Sequence, residues 1–253
     1  MAVTKVVTPE NLARFKAKQD AANDTKYMKK GEVSVDVATA DKAGIIKPGP
    51  DFDVAADGTL TAYKAIAINS FTCNPSSAER GSTVADVTFA WALNKAPKSL
   101  TLDGAAQDVA SKGTTLKGAN LKADKSYTLA ATDARDAKAT RTAGVSFQDK
   151  RHWWVAADLD ADGVTDDVIN KATGELATTL AKTFEVTAAE GQHIYYAFPA
   201  SFGTPRFFVG GFEGGFDLLK TFDHVNASGA TVSYVVYKSA NAGLGKTSVE
   251  VRK

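Results

Sequence analysis

A strict alternation of large apolar side chains with small or polar ones over Val87–Leu93 most constrains the fold of this chain. Successive side chains of a β-strand point to opposite faces, so Val87, Phe89, Trp91 and Leu93 would share one face. A strand with one such apolar face packs it against a second sheet. The run therefore predicts a β-sandwich with the Trp91 ring in its core.

Similar runs recur along the rest of the chain. Roughly six or seven short strands in residues 64–149 predict an immunoglobulin-like β-sandwich. Residues 150–253 carry a second set of such runs with more aromatic side chains, and we expect a second, mainly β module there. Within it, apolar spacing from Asp167 to Leu180 predicts one helix, although Gly174 weakens the pattern. We predict strands at 65–71, 87–93, 99–102, 114–116, 126–132, 137–147, 153–156, 183–187, 193–198, 206–209, 231–237 and 247–251.

The N-terminal segment carries the signals of a helix start. Thr8 precedes Pro9 and an acidic residue, which predicts a helix from Pro9 to about residue 22. Its apolar stripe is narrow, chiefly Leu12 and Phe15, so the helix needs a partner surface. Three partners remain open: a copy of itself, a different protein, or the body of this chain. The first two would make residues 1–30 an attachment helix.

Residues 31–63 change to short β runs broken by turn signals, such as Val33–Val37 and the Asp57-Gly58 pair between Val54 and Leu60. A segment of this size is too small to hold a core of its own. The predicted fold class is all-β, with an N-terminal helix and a short β repeat followed by two sandwich-like modules. The predicted divisions are 1–30, 31–63, 64–149 and 150–253.

Composition disfavours several classes of partner. Lys and Arg number 30 against 29 acidic residues, so no uniform positive field would capture nucleic acid. No apolar run approaches the ~20 residues that span a bilayer, and the first residues lack the apolar region of a secretory signal. We expect no nucleic-acid binding, no membrane insertion, and synthesis in a cytosol. The one cysteine, Cys73, excludes an intrachain disulfide.

One acidic run has the spacing of a calcium loop. Asp158, Asp160, Asp162 and Asp166 occupy positions 1, 3, 5 and 9, with glycine at position 6. Position 12 is Ile169, which offers no side-chain oxygen, so the affinity for calcium would fall. A solvated acidic turn is the alternative. We expect that no cofactor is required.

The sequence contains none of the common hydrolase motifs. Neither a G-x-S-x-G elbow nor an H-E-x-x-H helix occurs, and we expect His152, His193 and His224 at strand ends or on surfaces. The glycines of 210–215 lack the Lys-Ser/Thr ending of a phosphate loop, so they predict tight turns. Carboxylate pairs that cleave glycosides are recognised by separation in space, so a polysaccharide depolymerase stays an alternative.

Three segments resemble bacteriophage structural proteins. The run Ala38-Thr-Ala-Asp-Lys-Ala-Gly-Ile-Ile-Lys-Pro-Gly-Pro-Asp-Phe-Asp-Val-Ala-Ala-Asp-Gly-Thr-Leu60 resembles the short repeat of tail-fibre and related virion fibre proteins. Residues 82–104 and 127–133 are similar to immunoglobulin-like modules of phage tail and baseplate proteins. Residues 194–199 and 209–216 resemble a terminal module of structural proteins in phages and prophages of gut bacteria.

This resemblance implies a non-enzymatic virion protein, either a tail fibre or a tail-tip or baseplate component. It implies attachment to other virion proteins through residues 1–63, and we expect a homotrimer. Such a protein would be made in the cytoplasm of the host bacterium and reside in the virion. A head fibre or capsid decoration protein is the alternative within the same class.

Attachment to a host-surface glycan or protein is the expected task of the C-terminal module. Exposed aromatic rings stack on sugar rings, while polar groups hydrogen-bond to hydroxyls. Aromatic rings that fill the core are the alternative interpretation. The candidate glycan-binding residues are Trp153, Trp154, Tyr195, Tyr196, Arg206 and Asn241.

Overall fold

The structure of the chain, a computed structural model, describes residues 8–26, 52–54, 57 and 59–253. The chain divides into two compact units, Met1–Lys64 and Ala65–Lys253. Strands dominate, so the predicted all-β class with an N-terminal helix and sandwich modules is confirmed.

The first unit contains helix α1 (Pro9–Lys26), which starts at the predicted residue and extends a few residues beyond the predicted end. The backbone amide of Asn11 donates to Thr8 Oγ1 at 3.4 Å, as the N-cap signal predicts. Leu12 and Phe15 are 61% and 63% exposed. The helix therefore presents its largest apolar side chains to solvent.

A hairpin follows in the same unit. Strands β1 (Phe52–Val54) and β2 (Leu60–Ala62) pair antiparallel. The turn is stabilised at Asp57, whose carboxylate accepts the backbone N–H of Thr59 at 3.0 Å. The predicted turn at this position is confirmed, whereas the predicted β run at 33–37 lies outside the described residues.

The second unit begins with a β-sandwich. Its strands are β3 (Ile68–Asn74), β4 (Ser77–Glu79), β5 (Val87–Leu93), β6 (Ser99–Leu102), β7 (Ala105–Ala106), β8 (Gly113–Leu116), β9 (Lys125–Thr132) and the first half of β10 (Lys138–Ala157). One sheet has the order β3-β5-β8, and the other runs β10-β9-β6-β7. Trp91 and Tyr127 lie in the core between them, as predicted, beside Phe71, Phe89 and Leu129.

The second half of β10 begins the C-terminal sandwich. Its further elements are α2 (Asp166–Lys171), β11 (Thr173–Ala177), β12 (Lys182–Ala188), β13 (Gln192–Pro199), a short 3-10 turn (Ala200–Phe202), β14 (Arg206–Val209), β15 (Phe212–Glu213), β16 (Phe216–Val225), β17 (Thr231–Ser239) and β18 (Gly245–Arg252). A sheet β16-β17-β13-β10 faces a sheet β12-β18-β14-β15. Tyr196, Phe198, Phe184, Phe207 and Val249 fill the core between the sheets.

A second, smaller core lies on the other face of the β16-β17-β13-β10 sheet. Tyr195 and Val236 project to this face and pack with Val164 and Ile169 from residues 158–172, which cover it. The helix predicted over 167–180 is wrong beyond Lys171, because the chain turns into β11 and pairs with β10. Gly174 permits that pairing, since a Cβ there would lie 2.6 Å from His152 Nδ1.

Strand β10 is continuous over 20 residues and belongs to both sandwiches. The sequence predicted two separate strands here, 137–147 and 153–156, with a break at 148–152. The prediction of a break is wrong, since Asp149 and Lys150 find partners on neighbouring elements. Strand β16 was not predicted, because its apolar residues do not alternate and a register shift interrupts it between Leu218 and Lys220.

The glycine-rich segment forms the predicted tight turns. Gly210, Gly211, Gly214 and Gly215 all have positive φ, from 57° to 114°. These turns flank the β14–β15 hairpin and leave Phe212 at its tip 83% exposed. The structure therefore uses the glycines for backbone geometry.

Candidate functional site

Two of the predicted glycan-binding aromatics are core residues. Tyr195 and Tyr196 are fully buried, one in each core of the C-terminal module, because adjacent residues of β13 face opposite sides of the sheet. The Tyr196 hydroxyl donates to the Leu180 carbonyl at 2.7 Å, and the Tyr195 hydroxyl donates to the Ala157 carbonyl at 3.0 Å. Burial raises the pKa of both phenols. The prediction that they face a sugar is wrong.

Trp153 and Trp154 are half-buried and stack inside the protein. The Trp153 ring stacks on Phe184 with a centroid distance of 5.5 Å, and the Lys182 ammonium lies 5.0 Å from its centroid. The Trp154 ring stacks on Tyr195 at 5.0 Å with an interplanar angle of 8°. Each indole therefore already uses its ring for packing, and neither is a free platform for a sugar.

Arg206 and Asn241 are exposed, and they lie on different elements from the four aromatic candidates, which belong to β10 and β13. Arg206 binds Glu213 through two hydrogen bonds of 2.8 and 2.6 Å, and its guanidinium carbon lies 5.5 Å from the centroid of Phe208. Asn241 lies in the turn after β17, where its carbonyl accepts the Ser239 hydroxyl at 2.8 Å. The six candidates are thus divided between two cores, a sheet face and a turn.

The carboxylates of the acidic run do not converge on one metal-binding position. Asp158 pairs with Lys238, which lowers the pKa of that carboxyl through a hydrogen bond and its charge. Asp160 accepts the Gly163 amide at 2.8 Å, and Asp162 is exposed in the turn. Within the described ranges, no group of three or more His, Cys, Asp or Glu side chains could hold a metal ion.

Asp166 has a different role from the predicted one. Its Oδ1 lies 2.7 Å from His224 Nδ1 and accepts the Val225 amide at 3.0 Å. The residue stands at the start of α2 next to the N-cap Thr165. Its carboxylate therefore ties α2 to β16, and it is turned to protein partners.

We expect millimolar calcium to shift the melting temperature by no more than about 1 °C, because a ligand stabilises a fold only where it binds the folded state. Thermal melting with calcium and with EDTA measures this. Asp162→Asn is the matched variant, since it removes one exposed carboxylate of the run that forms no hydrogen bond or ion pair with the other described residues. A rise of several degrees with calcium that this variant abolishes would instead establish the loop as a calcium site.

His152 and His224 are both buried; His152 lies inside β10, contrary to the expectation of strand ends or surfaces, whereas His224 does lie near the end of β16. His152 is 4% and His224 is 0% exposed, because the alternation of β10 and β16 turns both toward the small core under residues 158–172. Their ring centroids lie 6.3 Å apart, and Tyr234 packs against both. Burial, then the nearby His224 and Lys150, lowers the pKa of His152 to about 4. His193 does lie near the start of β13.

A polar cluster joins the two sandwiches, and we call it the module joint: Glu79, Arg80, Asp149, Lys150 and Asn226. Arg80 binds Asp149 with distances of 2.9 and 3.3 Å, and Lys150 Nζ lies 3.1 Å from Glu79 Oε2. The Asn226 amide donates to the Arg80 carbonyl at 2.8 Å. Residues far apart in sequence thus meet where β10 passes from one module to the other, and no sequence motif marks them.

The joint is also close-packed at Gly81. Its φ is +87°, and a Cβ at this position would lie 2.9 Å from both the Ala230 Cβ and the Ser228 carbonyl oxygen. The loop after β4 therefore touches the turn between β16 and β17 with room for no side chain. Glycine is the residue that accepts both the conformation and the contact.

The first sandwich is open along one side. A cleft of about 450 Å³ lies there, next to β7 and β8. Its walls are largely apolar, and the buried ring of Tyr127 contributes to its lining. The lining residues are Leu102, Asp103, Ala105, Gln107, Thr114, Thr115, Leu116, Ala119, Leu121, Lys125 and Tyr127.

No protein-family model matches the chain, and no curated protein matches it. Among solved structures, it aligns with the N-terminal eight immunoglobulin domains of Down Syndrome Cell Adhesion Molecule at 11% identity and a TM-score of 0.23, over 83% of this chain and 34% of that one. It also aligns with α-L-rhamnosidase from Dictyoglumus thermophilum at 12% identity and a TM-score of 0.24, over 75% and 25%. Chitinase ChiA74 from Bacillus thuringiensis aligns at 10% identity and a TM-score of 0.22, over 73% and 26%.

The chain thus spans about a third or less of each of these structures. At these TM-scores no function passes from them to the chain, and the β-sandwich class follows from its own sheets. Across the described part of the chain, no helix has the length and apolar character to cross a membrane.

Proposed function

We propose that the chain is a non-enzymatic structural component of a bacteriophage virion, a tail fibre or tail-tip or baseplate protein. It docks on other virion proteins through residues 1–63 and presents two coupled β modules for attachment to the host surface. The coupling of the modules at the joint is the observation that supports this function most directly. The sequence resemblance to phage structural proteins supports the same class.

The physical argument concerns stiffness. A bend between the modules would have to break hydrogen bonds between β10 and its neighbours, since β9, β11 and β13 all pair with it. It would also separate the Arg80–Asp149 pair, in which the carboxylate is largely buried. Separating a pair of this kind leaves a poorly solvated charge, which is costly. Two sandwiches joined in this way act as one stiff spacer.

The proposed attachment element is α1. Leu12 and Phe15 are three residues apart, so they lie on one side of the helix, and both are exposed. A short helix with such a stripe gains stability when it packs against other helices. We propose that three copies of α1 pack together and make the protein a homotrimer.

We expect the purified full-length chain to have three times the 26.6 kDa chain mass in light scattering coupled to size exclusion. Replacing both Leu12 and Phe15 with glutamate should give the monomer mass, because like charges cannot be buried together in a small helical bundle. The matched control is Ala13→Glu with Ala17→Glu, which adds the same two negative charges on the other side of the helix and keeps the apolar pair. A monomeric parent, or a trimer that survives the first double variant, would reject the trimer through α1.

Location on the virion is tested by immunogold electron microscopy with antibodies against residues 65–253. Gold at the tail tip or fibres supports the proposal, whereas gold on the capsid would replace it by a head fibre or decoration protein. The non-enzymatic part is tested separately by incubating the protein with host capsular polysaccharide. Release of new reducing ends would make it a depolymerase.

Host-surface glycan is the proposed ligand class, and it requires a different set of residues from the predicted aromatics. A glycan array probed with the full-length trimer tests it. Binding that Arg206→Ala or Asn241→Ala weakens would support these two exposed residues. Silence across host polysaccharides, together with adsorption of the protein to protease-sensitive sites on host cells, would shift the receptor to a protein.

A further inference from the structure

Strand β8 has a free edge. It pairs with β5 on one side, and among residues 59–253 no strand pairs with its other side. Trp91 N donates to the Lys112 carbonyl at 2.9 Å, and hydrogen-bonded pairs recur at every second residue of an antiparallel ladder, so Thr114 and Leu116 bond to β5. The N–H and C=O of Thr115 therefore point away from β5.

The free edge faces the cleft of the first sandwich. Three consecutive residues, 114–116, line the cleft, although their side chains alternate between faces. Because side chains on opposite faces cannot all line one cleft, the part of β8 that all three residues present to it is the edge of the strand. Thr115 Oγ1 also lies 3.2 Å from Thr88 Oγ1, the close side-chain approach of a pair without backbone hydrogen bonds. The unpaired main chain of Thr115 is thus directed into an apolar cleft.

The interior of the cleft is apolar. Tyr127 is 3% exposed, and it lines the cleft together with leucine and alanine side chains. At the mouth, Lys125 Nζ lies 3.4 Å from Asp103 Oδ2, so the two charges offset each other. An occupant therefore needs polar main-chain groups and apolar, uncharged side chains.

We propose that this cleft is a strand acceptor that binds an extended segment of another polypeptide, with apolar side chains at alternate positions, as an added strand beside β8. A free strand edge next to an apolar pocket is the arrangement that β-strand addition uses. A sugar would lose its hydroxyl partners against the leucine and alanine walls, and a small apolar molecule would leave the Thr115 main chain unpaired. β8 has four residues, so the pairing covers about 13 Å of the added strand.

The test uses the full-length chain, labelled with ¹⁵N, and synthetic peptides in which valine, isoleucine or phenylalanine alternates with threonine between terminal lysines. We expect at least one peptide to slow hydrogen exchange of the Thr115 amide by about tenfold or more, because that amide becomes a donor in the new ladder. The amide of Phe89, in the centre of β5, provides the internal reference and should keep its rate.

Two variants separate main-chain pairing from mere contact. Thr115→Pro removes the outward N–H and leaves the hydrogen bonds to β5 in place, so it should lower the affinity for the peptide by about tenfold or more. Thr115→Ala keeps the N–H, and its affinity for the peptide should stay within about twofold of that of the parent. Ala105→Trp places a bulky side chain in the cleft and leaves the residues of β8 unchanged, so it should also weaken binding, which keeps the test valid if the proline variant unfolds.

The proposal fails if no peptide protects Thr115 at millimolar concentration, or if a peptide binds equally to the parent and the Ala105→Trp variant. It also fails if oligosaccharides or small apolar molecules shift the cleft amides while the peptides do not. Its outcome is independent of the proposed virion role, because neither the location on the virion nor the trimer mass enters the measurement.

Discussion

The variant Gly81→Ala should unfold with a free energy lower by about 3 kcal/mol than the parent, the sum of an unfavourable backbone conformation and a steric clash. The conformational part comes from φ of +87°, and the clash from the Ala230 Cβ and Ser228 carbonyl, each 2.9 Å from the added carbon. Urea unfolding followed by tryptophan fluorescence measures the change, since Trp91, Trp153 and Trp154 report on both sandwiches.

Gly104→Ala is the matched control. Gly104 has a φ of +82°, nearly that of Gly81, but no atom lies within 4 Å of its added Cβ. It should lose only the conformational part, about 1 kcal/mol. Equal losses at the two positions would mean that the loop after β4 and the β16–β17 turn are not in close contact, and the joint would lose this part of its packing.

Acidification should lower the free energy of unfolding by about 3 kcal/mol between pH 6.5 and 4, through His152 alone. Burial, with His224 and Lys150 adding to it, lowers the pKa of His152 from 6.5 to about 4 in the folded chain. In that range the unfolded chain takes up a proton that the folded chain refuses. Stability is therefore complete above pH 6.5, falls as the pH drops toward 4, and changes no further through this group below 4.

The measurement is urea unfolding at closely spaced pH values. His152→Leu, with an apolar side chain of similar size, should flatten the profile between pH 6.5 and 4, whereas His193→Gln should keep the slope. Carboxylates whose pKa is lowered in the folded chain, such as Asp86 with its hydrogen bonds from Lys117 and Gly118, add a slope of their own near pH 4 in parent and variant alike. A His152→Leu profile with the full slope of the parent would show that His152 is not the group that resists protonation.

Local pattern predicted the regular parts of the fold. Strands at Val87–Leu93, Ser99–Leu102 and Arg206–Val209 match their predicted bounds residue for residue. The start of α1 at Pro9 matches as well. These elements are decided by alternation or by capping, and both act between residues that are close in sequence.

The candidate functional residues were harder to predict, because the residues that pack around them are distant in the sequence. Tyr195 and Tyr196 are adjacent aromatics that suggested an exposed surface, yet each lies under a different layer of the module. His152 and His224 were expected at strand ends or on surfaces, and the cover formed by residues 158–172, which buries both, was not visible in their neighbourhood. Exposure depends on which distant segment lies over a face, and alternation along a strand does not contain that information.

By itself, the sequence determined where most strands run, which of their faces are apolar, and where the chain must turn. Tertiary structure alone decided that β10 passes unbroken between the sandwiches, because Asp149 and Lys150 are stable in a strand only when Arg80 and Glu79 meet them. It likewise decided that one edge of β8, beside a cleft, has no partner strand among residues 59–253. Hydrogen-bond and charge partners come from residues far along the chain, and only folding brings them into contact.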